Sequence, residues 1–336
     1  MPGCDPVIVN AGQTGYYRTL YTPPQFARLA ASYARLAPVD QLGILADAWA
    51  LGSTGLQPAS DVLTLAAATP DDADPQVWGE IAETFGAIDE YARGDARRET
   101  FRKYAVARLA PVLARVGWNA VPGEPAPSAI LRNGLIRGLG ALGDRTVIEE
   151  ARRRYAASAS DPGALPAALR KTVLEVVARH ADAATWDRLH EAARAETTPV
   201  VKDQLYFMLS STEDEALARR ALDLALTAEP GATNSAEMIA RAAAEHPDLA
   251  FDFAMAHMKE LEERLDATSR SRYFAGIAGR SADPAMLAKL SAYANAHVDA
   301  RSRRSTDTAA ANIRDRIRVR ERVLPAIAGW LERNAP

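Results

Sequence analysis

Five histidines, His180, His190, His246, His257 and His297, are where metal or acid–base chemistry would begin in this sequence, because imidazole titrates near neutrality and ligates metals. A zinc-protease helix needs H-E-x-x-H, since residues four apart point the same way and can share one ion. The nearest approach is HEAAR, His190 to Arg194, whose second ligand position is a permanent cation. His180, His190 and His246 fall at or near the C-termini of predicted helices, where a partly cationic ring suits the dipole. His257 shares a face with Phe253, Ala254 and Leu261 and reads as a core histidine. No G-x-S-x-G, P-loop or strand-borne G-x-G-x-x-G is present. GLGALG, Gly138 to Gly143, closes a helix. Cys4 is the one cysteine, which excludes an intramolecular disulfide and a thiolate cluster. The expectation is no catalytic residue, no metal ligand and no cofactor in this chain.

One group of side chains rises above that background. Arg314, Arg316, Arg318, Arg320 and Arg322 alternate along the last predicted helix, with Arg301, Arg303 and Arg304 just before it. Asp315 and Glu321 balance them only in part. Arg320 lies in the gap of an apolar stripe, between Ile317 and Leu324, where a guanidinium can fork onto a carboxylate. An internal ion pair is the first expectation, because buried charges usually find partners within the fold. The second is the carboxylate of a peptide end, with Arg316 and Arg320 as the substrate-binding candidates.

The elements that must carry these residues are almost all helical. PPQFARLAASYARL places Phe26, Leu29, Ala30 and Tyr33 on one face behind prolines suited to a first turn. PVDQLGILADAWALGSTG sets Leu42, Leu45, Ala46 and Trp49 in register. Past the Pro- and Gly-rich loop Asn119 to Ser128, helices of about four turns follow one another across short breaks, which implies antiparallel neighbours. Acidic breaks recur at Leu142 to Asp144, His180 to Asp182 and Ser211 to Asp214, the mark of a degenerate helix-pair repeat. The expected fold is all-α: an α-solenoid of stacked antiparallel helix pairs, HEAT- or armadillo-like and curved into a bowl. Ile313, Ile317, Leu324, Ile327 and Leu331 dock the last helix. The exception is the start. VIVNAGQTGYYRTLYTPP reads as strand, glycine turn, strand over Val7 to Tyr21, a short N-terminal β-hairpin that would be marginal alone.

The 336 residues are 48% hydrophobic and 25% charged, with a net charge of −3, values of an ordinary globular chain. A nucleic-acid partner is not expected of so unbasic a chain. No apolar run approaches the roughly 20 residues of a membrane span, and MPGCDPVIV lacks the basic start and long apolar run of a signal peptide. The compartment, cytoplasmic or periplasmic, is not legible.

The order of motifs resembles the junction between the catalytic module and the C-terminal helical domain of zinc aminopeptidases of the aminopeptidase N type, which include the puromycin-sensitive enzymes. The family pattern of an Asn, a Gly, then YYR and a Tyr is met by Asn10, Gly15, Tyr16, Tyr17, Arg18 and Tyr21. Asp47, Ala48 and Trp49 match the aspartate–aromatic pattern of the next helix. RVGW (Arg115 to Trp118), LRNGLIRGLGALGD (Leu131 to Asp144), HPDLAFDFAM (His246 to Met255) and the closing IAGWLE extend the match along the chain. The resemblance implies that residues 1–22 are a remnant hairpin of a preceding β-sandwich and 23–336 a helical-repeat C-terminal domain. The family's G-A-M-E-N and H-E-x-x-H motifs do not occur here. The resemblance implies zinc in the parent enzyme and, for this chain, a role in capping the active site and enclosing the peptide chamber, with the catalytic module and a peptide substrate as partners. A free-standing helical-repeat adaptor is the competing reading.

Overall fold

The computed structural model describes residues 6–334, and among these no strand forms. The chain runs through α1 (Pro23–Ser32), α2 (Pro38–Thr54), α3 (Asp61–Ala68), α4 (Pro75–Tyr91), α5 (Arg98–Val116) and α6 (Ala126–Ala141). It continues through α7 (Arg145–Ala157), α8 (Ala167–Arg179), α9 (Ala183–Ala195), α10 (Pro199–Leu209), α11 (Glu215–Leu226) and α12 (Ala232–Glu245). The last are α13 (Pro247–Ala256), α14 (Met258–Arg264), α15 (Ala267–Ala278), α16 (Ala285–His297), α17 (Arg304–Arg318) and α18 (Leu324–Asn334).

Local chemistry explains the boundaries. Pro23, Pro38, Pro75, Pro199 and Pro247 each occupy a first helical turn, where a missing N–H costs nothing. The acids of the recurring breaks are N-caps. Asp144 accepts the Val147 N–H at 3.0 Å, Asp182 that of Thr185 at 2.8 Å, and Asp214 that of Leu217 at 2.9 Å. Each satisfies an N–H that the first turn of a helix leaves without a partner.

The chain divides into two compact units, residues 1–147 with 318–336, and residues 148–317. In the first, α4 packs on α2 and α6, and α18 returns from the far end of the sequence to pack on α5. An aromatic chain marks its core: Phe85 meets Phe101 edge-on at 5.6 Å, and Tyr104 lies 5.8 Å from Phe85 and 5.4 Å from Trp330. Trp330 Nε1 donates to Thr64 Oγ1 at 2.9 Å, which fixes α18 against α3. Leu324, Ile327 and Leu331 are buried as the apolar stripe requires. Between α17 and α18, Val319–Val323 opens into a π turn. Pro325 has no N–H to return to the carbonyl four residues back, and its ring crowds that carbonyl, so the ladder widens there.

Buried charge ties the first unit's helices together. Asp89 on α4 takes two hydrogen bonds from Arg98, at 2.9 and 2.7 Å, and two from Arg102, at 2.7 and 3.1 Å. Arg102 also donates to the Ala141 carbonyl at the end of α6. Arg132, only 3% exposed, forks onto Glu124 and donates to the Gly117 carbonyl, closing the Asn119 to Ser128 loop over the end of α5.

In the second unit α9 packs on α10, α11 on α12 and α12 on α13, while α8 meets α10, α10 meets α12 and α13 meets α15. Trp186, Tyr206, Phe251 and Phe274 are its largest buried side chains.

The opening of the chain departs from the expected hairpin. Residues 7–21 make no strand pairing and instead hold a short turn of 3₁₀ helix at Ala11–Gln13. Asn10 closes the loop in place of a ladder: its Oδ1 accepts the Gly15 N–H at 2.7 Å and its Nδ2 donates to the Gly15 carbonyl at 3.0 Å. Gly15 is required, because a Cβ there would stand 2.9 Å from Asn10 Oδ1 and 2.3 Å from the Tyr17 ring.

Candidate functional site

The motif that carries the family resemblance, Asn10 to Tyr21, is seated on one face of α2. Asp40, Gly43 and Asp47 recur there at intervals of three and four, which aligns them along the helix. Asp40 Oδ1 accepts the Gly12 N–H at 2.7 Å. Two turns on, Asp47 accepts Arg18 Nη1 at 3.0 Å and the Thr19 N–H at 2.9 Å. Gly43 supplies the notch between them: a Cβ on it would stand 2.0 Å from Cδ of Gln13. Both aspartates are buried, and each recovers with a backbone N–H part of the hydration it gives up. The strapped segment turns apolar side chains outward, with Val7 76%, Tyr16 108% and Tyr17 55% exposed. Tyr21 donates to the Val9 carbonyl, which tethers the segment's two ends.

Of the two arginines singled out for substrate, Arg320 sits in the π turn. Its Nε donates to the Tyr91 carbonyl at the C-terminus of α4 at 3.1 Å, and its own carbonyl accepts Arg97 Nη2 at 3.3 Å. Arg97 in turn forks onto Asp95 at 2.8 and 2.5 Å. This bond holds Asp95 down at about 2, and Arg320 adds to the effect. The guanidinium of Arg320 is thus engaged with the carbonyl end of a helix, with its charge also felt by the Asp95 carboxylate. Arg316 lies half-buried on α17.

The histidines are distributed among structural tasks. His246 Nε2 lies 3.0 Å from the Thr212 carbonyl, and His180 Nδ1 lies 3.5 Å from Glu213. His257 joins α13 to α14 with its ring 4.6 Å from Phe253 and more than a third exposed, so it is not the core residue its spacing predicts. His190 has the richest surroundings: Nε2 lies 2.5 Å from Glu229 Oε1, which also accepts the Tyr206 hydroxyl at 3.1 Å. Burial works against the charge on Glu229, but the bonds from His190 and Tyr206 outweigh it and hold the carboxyl low. Burial, reinforced by Glu229, pushes Tyr206 up to about 12. Among the described residues no three His, Cys, Asp or Glu side chains come together to hold a metal ion, so the residues present do not fit a zinc site. Cys4 lies outside the described residues. Among the described residues no helix is long and apolar enough to cross a membrane.

Neither Asp40 nor Gly43 stands out in the sequence, because both fall inside a helix whose apolar spacing dominates. The pairing of Asp47 with Arg18, by contrast, joins two elements of the recognised motif.

An all-α chain with this strapped N-terminal motif defines a class, and the sequence comparisons name it. The pattern of the ERAP1-like C-terminal domain matches residues 6–315, and the chain belongs to that family. It is 29% identical over 232 residues to Aminopeptidase M1-A of Oryza sativa subsp. japonica, covering 66% of this chain and 26% of that protein. It is 26% identical over 237 residues to Aminopeptidase M1 of Arabidopsis thaliana, covering 67% and 27%. With the Puromycin-sensitive aminopeptidase of Caenorhabditis elegans it shares 23% over 215 residues, covering 63% and 23%. The chain thus spans about a quarter of the length of these relatives.

Proposed function

We propose that this chain is the non-catalytic C-terminal domain of a zinc metallo-aminopeptidase, which caps the active site and encloses the peptide chamber of the parent enzyme. The family match carries the reading. The seated N-terminal segment supports it: its backbone is fixed by Asp40 and Asp47 while Val7, Tyr16 and Tyr17 face outward, a rigid apolar surface suited to a preceding module. The helix-pair contacts of the second unit fit a solenoid wall. In this reading zinc and the hydrolytic chemistry reside in the catalytic module, and this chain limits which peptides reach it. Arg316 and Arg320 are then the candidates for contact with a peptide's C-terminal carboxylate. For Arg320 that role competes with its bond to Tyr91.

The test is to express the chain together with the module encoded upstream in the same frame. The expected result is a stable complex in which removing the chain alters cleavage of long peptides far more than of aminoacyl-arylamides. Failure of the two parts to associate, or equal change on both substrates, would reject the capping role.

A further inference from the structure

Arg272 on α15 and Arg304 at the start of α17 line a single cleft of about 260 Å³ within the second unit, together with Ser305, Thr308 and Asn312. Among the described residues no carboxylate lines it. Neither arginine makes a hydrogen bond or ion pair among the described residues. Elsewhere in the same unit arginines find acids readily. Arg179 reaches Glu213 at 2.9 Å and Glu245 at 2.7 Å, Arg220 reaches Asp187 at 2.5 Å, and Arg241 reaches Glu237 at 2.7 Å. Two cations sharing a cleft without an acid repel each other, and an anion between them removes that repulsion.

The donor count narrows the class of anion. Each guanidinium offers five N–H groups in a planar fork, and two hydroxyls and a carboxamide add further donors. A carboxylate has two oxygens to receive them, whereas a phosphate has three terminal oxygens and up to two charges. Among the described residues the rest of the wall is glycine and alanine, and Gly279, just past the end of α15, approaches α17, where Ala309 Cβ lies 3.4 Å from the position of a Cβ on Gly279. At Gly276 a Cβ would meet nothing within 4 Å, so the cleft is open there. We propose that this cleft is a binding site for a phosphate monoester, held by Arg272 and Arg304 with Ser305, Thr308 and Asn312 completing the donor set.

The test titrates the full chain with inorganic phosphate, glycerol 3-phosphate and acetate by calorimetry or chemical-shift mapping. Saturable phosphate binding is expected, with glycerol 3-phosphate at least as tight and acetate at least tenfold weaker. Arg272→Ala and Arg304→Ala should each weaken it about ten- to a hundredfold, the usual worth of a charge-assisted hydrogen bond. Both side chains are exposed, so the melting temperature should hold. Arg314→Ala, an exposed arginine outside the cleft, should change the affinity less than twofold. Gly276→Glu should abolish binding without unfolding the protein, since the added carboxylate enters open space beside the arginines. Absence of saturable binding, equal affinity for acetate, or equal loss on Arg314→Ala would overturn the assignment.

Discussion

Asp47 holds Arg18 through one carboxylate oxygen at 3.0 Å and the Thr19 amide through the other at 2.9 Å. The two partners are not equivalent. Arg18 is 54% exposed and can return to water, while the aspartate side chain is 11% exposed and also serves a backbone donor. Asp47→Ala should therefore cost more than Arg18→Ala: about 1–3 kcal/mol against less than about 1 kcal/mol. Denaturant melts of the two single variants and the double variant measure the difference. Equal losses would mean that the ion pair, not the Thr19 amide, carries the strap.

Gly43 separates local from global stability. Replacing it with Ala favours the helix by up to about 1 kcal/mol, yet its Cβ occupies the space of the Gln13 side chain. The expected outcome for Gly43→Ala is an unchanged or higher melting temperature together with faster hydrogen exchange at Gly12 and Thr19. Adding Gln13→Ala should restore the protection. Failure of that rescue would show that the notch does not seat Gln13.

The Asp89 cluster predicts acid sensitivity. Burial opposes ionisation of Asp89, but the hydrogen bonds and charges of Arg102 and Arg98 prevail, so its carboxyl titrates below the ordinary range. A depressed carboxyl stabilises the fold above its unfolded pKa of about 3.9, and that contribution fades as the pH falls through the lower folded value. Asp89→Asn should flatten the stability profile below about pH 4 and cost about 3–5 kcal/mol at neutrality, because it leaves two partly buried guanidiniums short of a counter-charge. A wild-type profile that does not fall below pH 4 faster than that of Asp89→Asn would contradict this.

Asp61 has the opposite sign. Burial raises it to about 6, and Gln57 Nε2 donates to it at 3.3 Å. A raised carboxyl costs stability as the pH climbs through the folded value. Asp61→Asn should thus raise the melting temperature at pH 7 and leave it unchanged at pH 4. The gain should be under about 1 kcal/mol, since the group keeps substantial solvent contact. Thermal melts at the two pH values decide it.

Helix positions were legible in the sequence wherever the termination chemistry was local. Asp144, Asp182 and Asp214 cap from within their own segments, and prolines open helices without outside help. The N-terminal segment was misread for the converse reason. Val7, Val9 and the Tyr16 to Tyr21 run have strand propensity, but the partners of Gly12 and Thr19 lie 28 residues away on α2. Propensity yields when tertiary hydrogen bonds are on offer. On α2 the spacing sets Leu42, Leu45, Ala46 and Trp49 in register; Leu45 is buried, but Leu42, Ala46 and Trp49 are half-buried, and Ile44 and Ala48 are buried alongside Asp40 and Asp47. Nor does any pattern bring Arg272 to the cleft that Arg304 lines, since 32 residues separate them and only Arg304 belongs to the arginine-rich run at the last helix.

Arg320 is where the structural and peptide-binding readings make different forecasts. Its Nε bond to the Tyr91 carbonyl satisfies a group that the end of α4 leaves open, and the cation suits the negative end of that helix. Arg320→Ala should lower stability by about 1–2 kcal/mol on this account, and Arg320→Lys should recover part of it through charge alone. If this structural bond is the whole role, the full-length enzyme carrying Arg320→Ala will lose activity equally on free and amidated peptides, in step with its lower melting temperature. If Arg320 also meets a peptide carboxylate, peptides with a free C-terminus will lose about ten- to a hundredfold in kcat/KM relative to their amides. Small aminoacyl substrates serve as the internal control, because they have no carboxylate to present. A selective loss on free-acid peptides at a temperature where the variant remains folded would establish recognition; parallel losses across all three would leave Arg320 as the cap of α4.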